Sequence, residues 1–146
     1  MDTPLSDLLQ GKSSEVVTVT PDTTVAECVR VMAERDIGSL LVMEESGKPA
    51  GIFTDRDVVT RIVAHNLDAG GVAVSEVMTG NIACANPAMT VGEAATILTQ
   101  KRCHHLPVVA DGKLVGVLSA GDIMQWVSKD HEEEIQELVS YISGSY

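Results

Sequence analysis

The chain predicts an α/β fold built from two β-α-β-β-α repeats related by a pseudo-two-fold axis. Three observations carry this. The sequence is doubled: Pro21 recurs as Pro87, Val25 as Val91, Glu27 as Glu93, Val31 as Ile97 and Val42 as Val108, each 66 residues apart. After one extra residue in the first turn, Gly47-Lys48 recurs as Gly112-Lys113, Gly51 as Gly116 and Asp57 as Asp122, each 65 residues apart. Local signals for strand, helix and hairpin follow in the same order in both copies. Finally, each unit is too small to bury an adequate core alone, so the two must pack on each other, and one shared core is expected.

The elements follow in order. Leu5-Ser6-Asp7-Leu8-Leu9 reads as a short helical lead-in. Val16-Val17-Thr18-Val19-Thr20 alternates as a strand and stops at Pro21. Thr24-Val25-Ala26-Glu27 is a capping box opening a helix with Val25, Val29, Met32 and Ala33 on one face and Gly38 as its stop. Residues 39–43 and 49–53 read as strands around a glycine-containing turn, and 55–65 as a second helix. Val74-Ser75-Glu76-Val77-Met78 is the second lead-in, and Thr90-Val91-Gly92-Glu93 repeats the capping box. Residues 105–109 and 114–118 flank Asp111-Gly112, a strong hairpin signal, and 120–128 form the closing helix. An amphipathic helix is expected beyond it, with Ile135, Leu138, Val139 and Ile142 in one stripe. The organisation is thus a first repeat at 5–65, a connector at 66–73, a second repeat at 74–128 and a C-terminal helix at 129–146.

Composition narrows the function. Ten Lys and Arg against 21 Asp and Glu give a net charge of −11, a field that repels nucleic-acid backbones and anionic lipid. Aromatic residues make up only 3%, too few for base-stacking platforms. No apolar run approaches a membrane span, the start lacks the pattern of a secretory signal, and Cys28, Cys84 and Cys103 do not suggest a disulfide framework. A cytoplasmic protein binding neither nucleic acid nor membrane is expected. Any anionic ligand needs a local pocket of cations and N–H groups, because the overall field does not collect it.

Each repeat ends in Gly-hydrophobic-x-Thr/Ser-x-x-Asp: Gly51-Ile52-Phe53-Thr54-Asp55-Arg56-Asp57 and Gly116-Val117-Leu118-Ser119-Ala120-Gly121-Asp122. This tandem resembles the CBS-domain pair, or Bateman module, from about residue 5 to residue 128. The resemblance implies a regulatory module without catalysis or a required cofactor. It would bind an adenosine-containing ligand such as AMP, ADP, ATP, NAD or S-adenosylmethionine in clefts between the repeats. It also implies a homodimer that acts in trans on an unidentified regulated protein.

Thr54 and Asp57 fall where a strand gives way to a helix, whose first-turn N–H groups and positive end suit a phosphate. Asp57 can accept the two hydroxyls of a ribose while Thr54 or Arg56 faces the phosphate. The same four-residue pattern is also an ordinary helix cap. By the resemblance, Arg102, His104 and His105 line the phosphate end of this site and Ile82 and Ala83 flank the adenine. Strand alternation lets at most one of the two histidines reach a given phosphate. In the second cleft Ser119 and Asp122 take the ribose side, with Gly38 and Ser39 opposite; Val16 and Val17 complete the ligand-binding set. That cleft lacks cations and suits a neutral portion of a ligand. A zinc site at Cys103 and His105 lacks two further ligands. The alternative function is a structural or interaction adaptor that no longer uses a ligand. An enzyme is disfavoured, because neither a nucleophile-base pair nor a GxxxxGK loop is present.

Overall fold

The structure is a computed structural model of the 146-residue chain and describes residues 1–11 and 16–130. The expected stripe at 135–142 lies outside the described residues.

Strand β1 (Thr18–Val19) pairs in parallel with β2 (Ser39–Met43), β2 antiparallel with β3 (Pro49–Thr54), and β3 antiparallel with β4 (Thr79–Gly80). The second sheet is the antiparallel pair β5 (His105–Ala110) and β6 (Lys113–Ser119). Ala85 adds an isolated parallel bridge to Val108, the counterpart of Val19 on Val42. The opening strands are therefore much shorter than the run 16–20 suggests. In the first repeat the cause is local: Thr20 donates its N–H to Thr23 Oγ1 at 3.2 Å and its hydroxyl to Asp22 Oδ1 at 2.6 Å, which turns the chain away from the ladder. The hairpin between β5 and β6 turns at Asp111 (φ 53°) and Gly112 (φ 75°), both left-handed as that turn requires.

Helix α1 spans Leu5–Gln10, α2 Val25–Arg35, α4 Val74–Val77, α5 Val91–Gln100 and α6 Ala120–Asp130. Between β3 and α4 the predicted helix at 55–65 is composite. A single turn, α3 (Asp55–Asp57), continues as a π-helix over Val58–Ile62 and a 3₁₀ turn over Val63–His65. Thr24 and Thr90 cap α2 and α5 by accepting the N–H of Glu27 at 3.2 Å and Glu93 at 3.1 Å. Glu27 does not return the bond as a full box would; its carboxylate holds Arg30 instead.

Two details of α2 differ from the sequence reading. The buried face is Val25, Cys28 and Met32, whereas Val29 and Ala33 are exposed, because the thiol of Cys28 serves as a small apolar core group. The helix stops at Asp36 (φ 52°), not Gly38, with Ile37 N–H bonded to Met32 O at 3.0 Å. Arg102 (φ 51°) ends α5 in the same way, with Cys103 N–H bonded to Leu98 O at 3.1 Å.

Instead of one shared core, the described residues form two matching ones. Val25, Cys28, Met32, Leu40, Val42 and Phe53 are buried in the first, and Val91, Ala94, Leu98, Leu106, Val108 and Leu118 at equivalent places in the second. Each is completed by the lead-in helix that precedes the other repeat. Val74 and Val77 of α4 enter the first core, and Leu5 and Leu8 of α1 enter the second. Paired backbone bonds fix the exchange: Val74 N–H to Thr23 O and Leu5 N–H to Met89 O, both at 2.8 Å. The two repeats are thereby interlocked, and the clefts between them are built from both.

Candidate functional site

In the β2–β3 register Thr54 stands opposite Ser39, and the chain turns at Thr54 from extended backbone into α3. Thr54 N–H donates to Asp57 Oδ2 at 2.9 Å and Asp57 N–H donates to Thr54 Oγ1 at 3.3 Å. Asp57 is 9% exposed, and its Oδ1 lies 3.5 Å from Arg61 Nε. The second repeat builds the same reciprocal cap, with Ser119 N–H to Asp122 Oδ2 at 2.8 Å and Asp122 N–H to Ser119 Oγ at 3.0 Å.

The expectation of open first-turn N–H groups is corrected. Asp55 N–H bonds Gly38 O at 2.9 Å, Arg56 N–H bonds Asp55 Oδ1 at 2.8 Å, and Asp57 N–H is taken by Thr54. The residue just before β2 reaches over the turn, and the Asp55 side chain folds back on it. An anion here relies on side-chain cations.

The other repeat supplies them. The left-handed turn at Arg102 throws residues 101–105 across to the Thr54–Asp57 turn. A cavity of about 750 Å³ results, lined by Thr54, Asp55, Arg56 and Asp57 from the first repeat and Lys101, Arg102, Cys103, His104 and His105 from the second. Thr79, Asn81, Ile82 and Ala83 add a further stretch of its wall, and Gly38, Ser39 and Ile52 complete the lining. Both histidines line it. His104 precedes β5, which begins at His105, so strand alternation does not separate them.

A second cavity, of about 320 Å³, is lined by Val16, Val17, Gly38, Ser39, His105 and Ser119 together with apolar residues including Leu9, Ile37, Leu41 and Val115. Among the described residues no Lys, Arg, Asp or Glu lines it. Asp122 is not brought there with Ser119. It lines a third cavity, of about 360 Å³, with Leu8, Gln125, Trp126 and Lys129. The two main cavities share Gly38, Ser39, Ile52 and His105, and Ser39 Oγ lies 3.4 Å from His105 Nε2. Ser39 and His105 are equivalent positions, so this contact sits on the pseudo-two-fold axis.

The family model of the CBS domain matches the chain twice, at residues 2–64 and 74–129. The chain belongs to the CBS-domain family. It is 31% identical over 152 aligned positions to the Arabidopsis thaliana mitochondrial CBS domain-containing protein CBSX3, covering 99% of this chain and 74% of that one. A solved structure of a protein with CBS domains from Burkholderia ambifaria superposes with a TM-score of 0.79 at 33% identity, over 88% of this chain and 96% of that one. The fold is also that of the CBS domain pair of protein MJ0100, solved with 5′-methylthioadenosine and S-adenosyl-L-methionine. There the TM-score is 0.76 at 24% identity, over 89% of this chain and 99% of that one.

Within this CBS pair two features escaped the sequence reading. Arg61 pairs with Asp57, a contact that the spacing of four along a helix could have flagged. Thr79 and Asn81, the latter left-handed at φ 50°, carry the chain from α4 onto the cavity wall. Cys28, Cys84 and Cys103 are free thiols; burial pushes Cys28 up to about 11 and also raises Cys84. Among the described residues no three His, Cys, Asp or Glu side chains gather as a metal ion needs. No described helix is long and apolar enough to cross a membrane.

Proposed function

We propose that this CBS pair is a regulatory module that binds an adenosine nucleotide of the AMP, ATP or NAD type in the larger cavity and reports its occupancy to a partner protein by a change of shape. One observation carries the reading. On a chain of net charge −11, Arg56, Lys101, Arg102, His104 and His105 converge on one concavity beside a nearly buried carboxylate. Asp57 and Thr54 take the ribose hydroxyls, since each carboxylate oxygen keeps acceptor capacity beyond its present bond. Arg102, Lys101 and the histidines take the phosphate, and Ile82 and Ala83 cover the adenine. The two ligands in the MJ0100 structure, 5′-methylthioadenosine and S-adenosyl-L-methionine, are adenosine derivatives, which agrees with this class.

Val16, Val17, Gly38, Ser39 and Ser119 offer the smaller cavity to an uncharged portion of a ligand. Because both repeats wall the larger cavity, a ligand that fits one inter-repeat angle better than another shifts the population toward it. The exposed Val59 and Met124, at equivalent places in the two repeats, are the surfaces on which two copies pair as a homodimer. Three free thiols suit a reducing cytoplasmic setting.

The second reading, an adaptor without a ligand, is favoured by the internal bonding of the first-turn N–H groups. Thermal unfolding separates the two. Ligand at a hundred times its Kd stabilises by about 2.7 kcal/mol, a shift of several degrees. No shift with millimolar AMP, ATP or NAD favours the adaptor.

A further inference from the structure

Arg61 lines none of the cavities described, yet its guanidinium joins two parts of the larger one. Its Nε lies 3.5 Å from Asp57 Oδ1, while its Nη1 donates to Val77 O at 2.8 Å and to Met78 O at 3.2 Å. Val77 ends α4, and the chain runs from there through Met78 and Thr79 to the cavity wall at Ile82 and Ala83. A single planar fork therefore ties the carboxylate to the segment that leads to Ile82 and Ala83, and all three residues line the cavity. Arginine suits this task because its donors are fixed in one plane, whereas lysine offers a point charge on a flexible stem.

The second repeat provides an internal contrast. The position equivalent to Arg61 is Trp126, as Asp122 is equivalent to Asp57. The Trp126 indole N–H is buried with no hydrogen-bond partner among the described residues, so it does not hold Asp122 as the guanidinium holds Asp57. The two repeats share the helix cap and differ in what orients its carboxylate.

We propose that Arg61 is the positioning residue for ribose recognition: it holds Asp57 and the Ile82–Ala83 wall in the register at which the carboxylate accepts both hydroxyls of an adenosine nucleotide. The proposal rests on the nucleotide reading above. A carboxylate held in one orientation loses less freedom when the ribose arrives, so the gain falls on ligands with an intact diol.

The test is the ratio of affinities for AMP and 2′-deoxy-AMP, measured by calorimetry on the parent, Arg61→Gln and Arg61→Lys. The parent is expected to favour AMP by ~10-fold or more, the worth of one charge-assisted bond. Arg61→Gln should lose most of that preference by weakening AMP alone, and Arg61→Lys should fall between. If Arg61→Gln does not fold, Arg61→Lys carries the test, and a folded lysine variant with the parent's ratio overturns the proposal. Equal loss for both ligands in Arg61→Gln overturns it too, since a scaffold or long-range charge acts that way. A parent that binds both alike also overturns it. A parent that binds neither overturns instead the nucleotide reading on which it rests.

Discussion

Replacing Asp57 by Ala separates its roles as cap and as ligand acceptor. As a cap, Asp57 accepts one bond from Thr54 N–H at 2.9 Å, and losing such a cap costs about 1 kcal/mol of stability. The pair with Arg61 adds little, because that arginine side chain is 44% exposed and screened by water. As a ligand acceptor, Asp57 would make two charge-assisted bonds to a ribose. Their joint loss costs on the order of 2 to 4 kcal/mol, or ~30- to 1000-fold in affinity. Asp122→Ala is the matched control. It removes the same cap bond, Ser119 N–H to Asp122 at 2.8 Å, but Asp122 lines a different cavity from the cations. Both variants should lose a similar amount of stability, yet only Asp57→Ala should lose AMP in a calorimetric titration of folded protein. The reasoning fails if folded Asp57→Ala binds AMP, ATP and NAD like the parent, or if Asp122→Ala is the weaker binder.

Four further outcomes are expected. A Cβ at Gly51 would meet the Thr79 carbonyl and Met78 Sδ at 2.6 Å, whereas one at Gly116 would meet only the end of the Leu9 side chain at 2.6 Å. Gly51→Ala should therefore lower stability by ~1–3 kcal/mol and Gly116→Ala by less, as denaturant melts will show; the reverse order refutes the packing described. Cys28 in the folded protein holds its proton to about 11, whereas an ordinary thiol releases it near 9. Its contribution is thus intact below pH 9 and lost as pH rises toward 11. The melting temperature of the parent should fall more over that window than that of Cys28→Ala, and an equal fall contradicts the burial of this thiol. A phosphate beside His104 and His105 favours protonated imidazole against a setting of Arg56, Lys101, Arg102, Asp55 and Asp57. AMP should bind more tightly at pH 6 than at pH 8 after correction for its own ionisation near ~6, and equal affinity removes the histidines from the phosphate. Light scattering should give a dimer mass that Val59→Glu or Met124→Glu lowers toward the monomer; a parent monomer at micromolar concentration rejects the proposed pairing.

Much of this architecture was legible because it is written in local chemistry and then repeated. Asp111-Gly112 specified a hairpin, Thr24 and Thr90 specified helix starts, and a doubled Thr/Ser-x-x-Asp specified two strand-to-helix corners. What remained hidden depends on distant partners. No local signal tells Leu5 and Leu8 to enter the second core while Val74 and Val77 enter the first, because amphipathic lead-ins suit either repeat. The place of Cys28 in the core is not legible from the sequence, because a thiol serves as a small apolar core group only where the fold buries it. At the site, the cations at 101–105 and the wall at Ile82 and Ala83 were placed by family resemblance, and the structure brings them to one cavity with Thr54 and Asp57. The internal bonding of the first-turn N–H groups was not legible, since it needs Gly38 O from the turn that precedes β2. Nor was the separation of Asp122 from Ser119, which face different cavities although they bond each other.

The most direct test of nucleotide binding between the repeats is a crystal structure of the protein grown with AMP at a concentration that saturates it in solution. The predicted result is one AMP in the larger cavity. Its ribose hydroxyls should lie within hydrogen-bond distance of Asp57, its phosphate among Arg102, Lys101 and His104, and its base against Ile82 and Ala83. AMP bound elsewhere, or a cavity left empty under those conditions, contradicts the account.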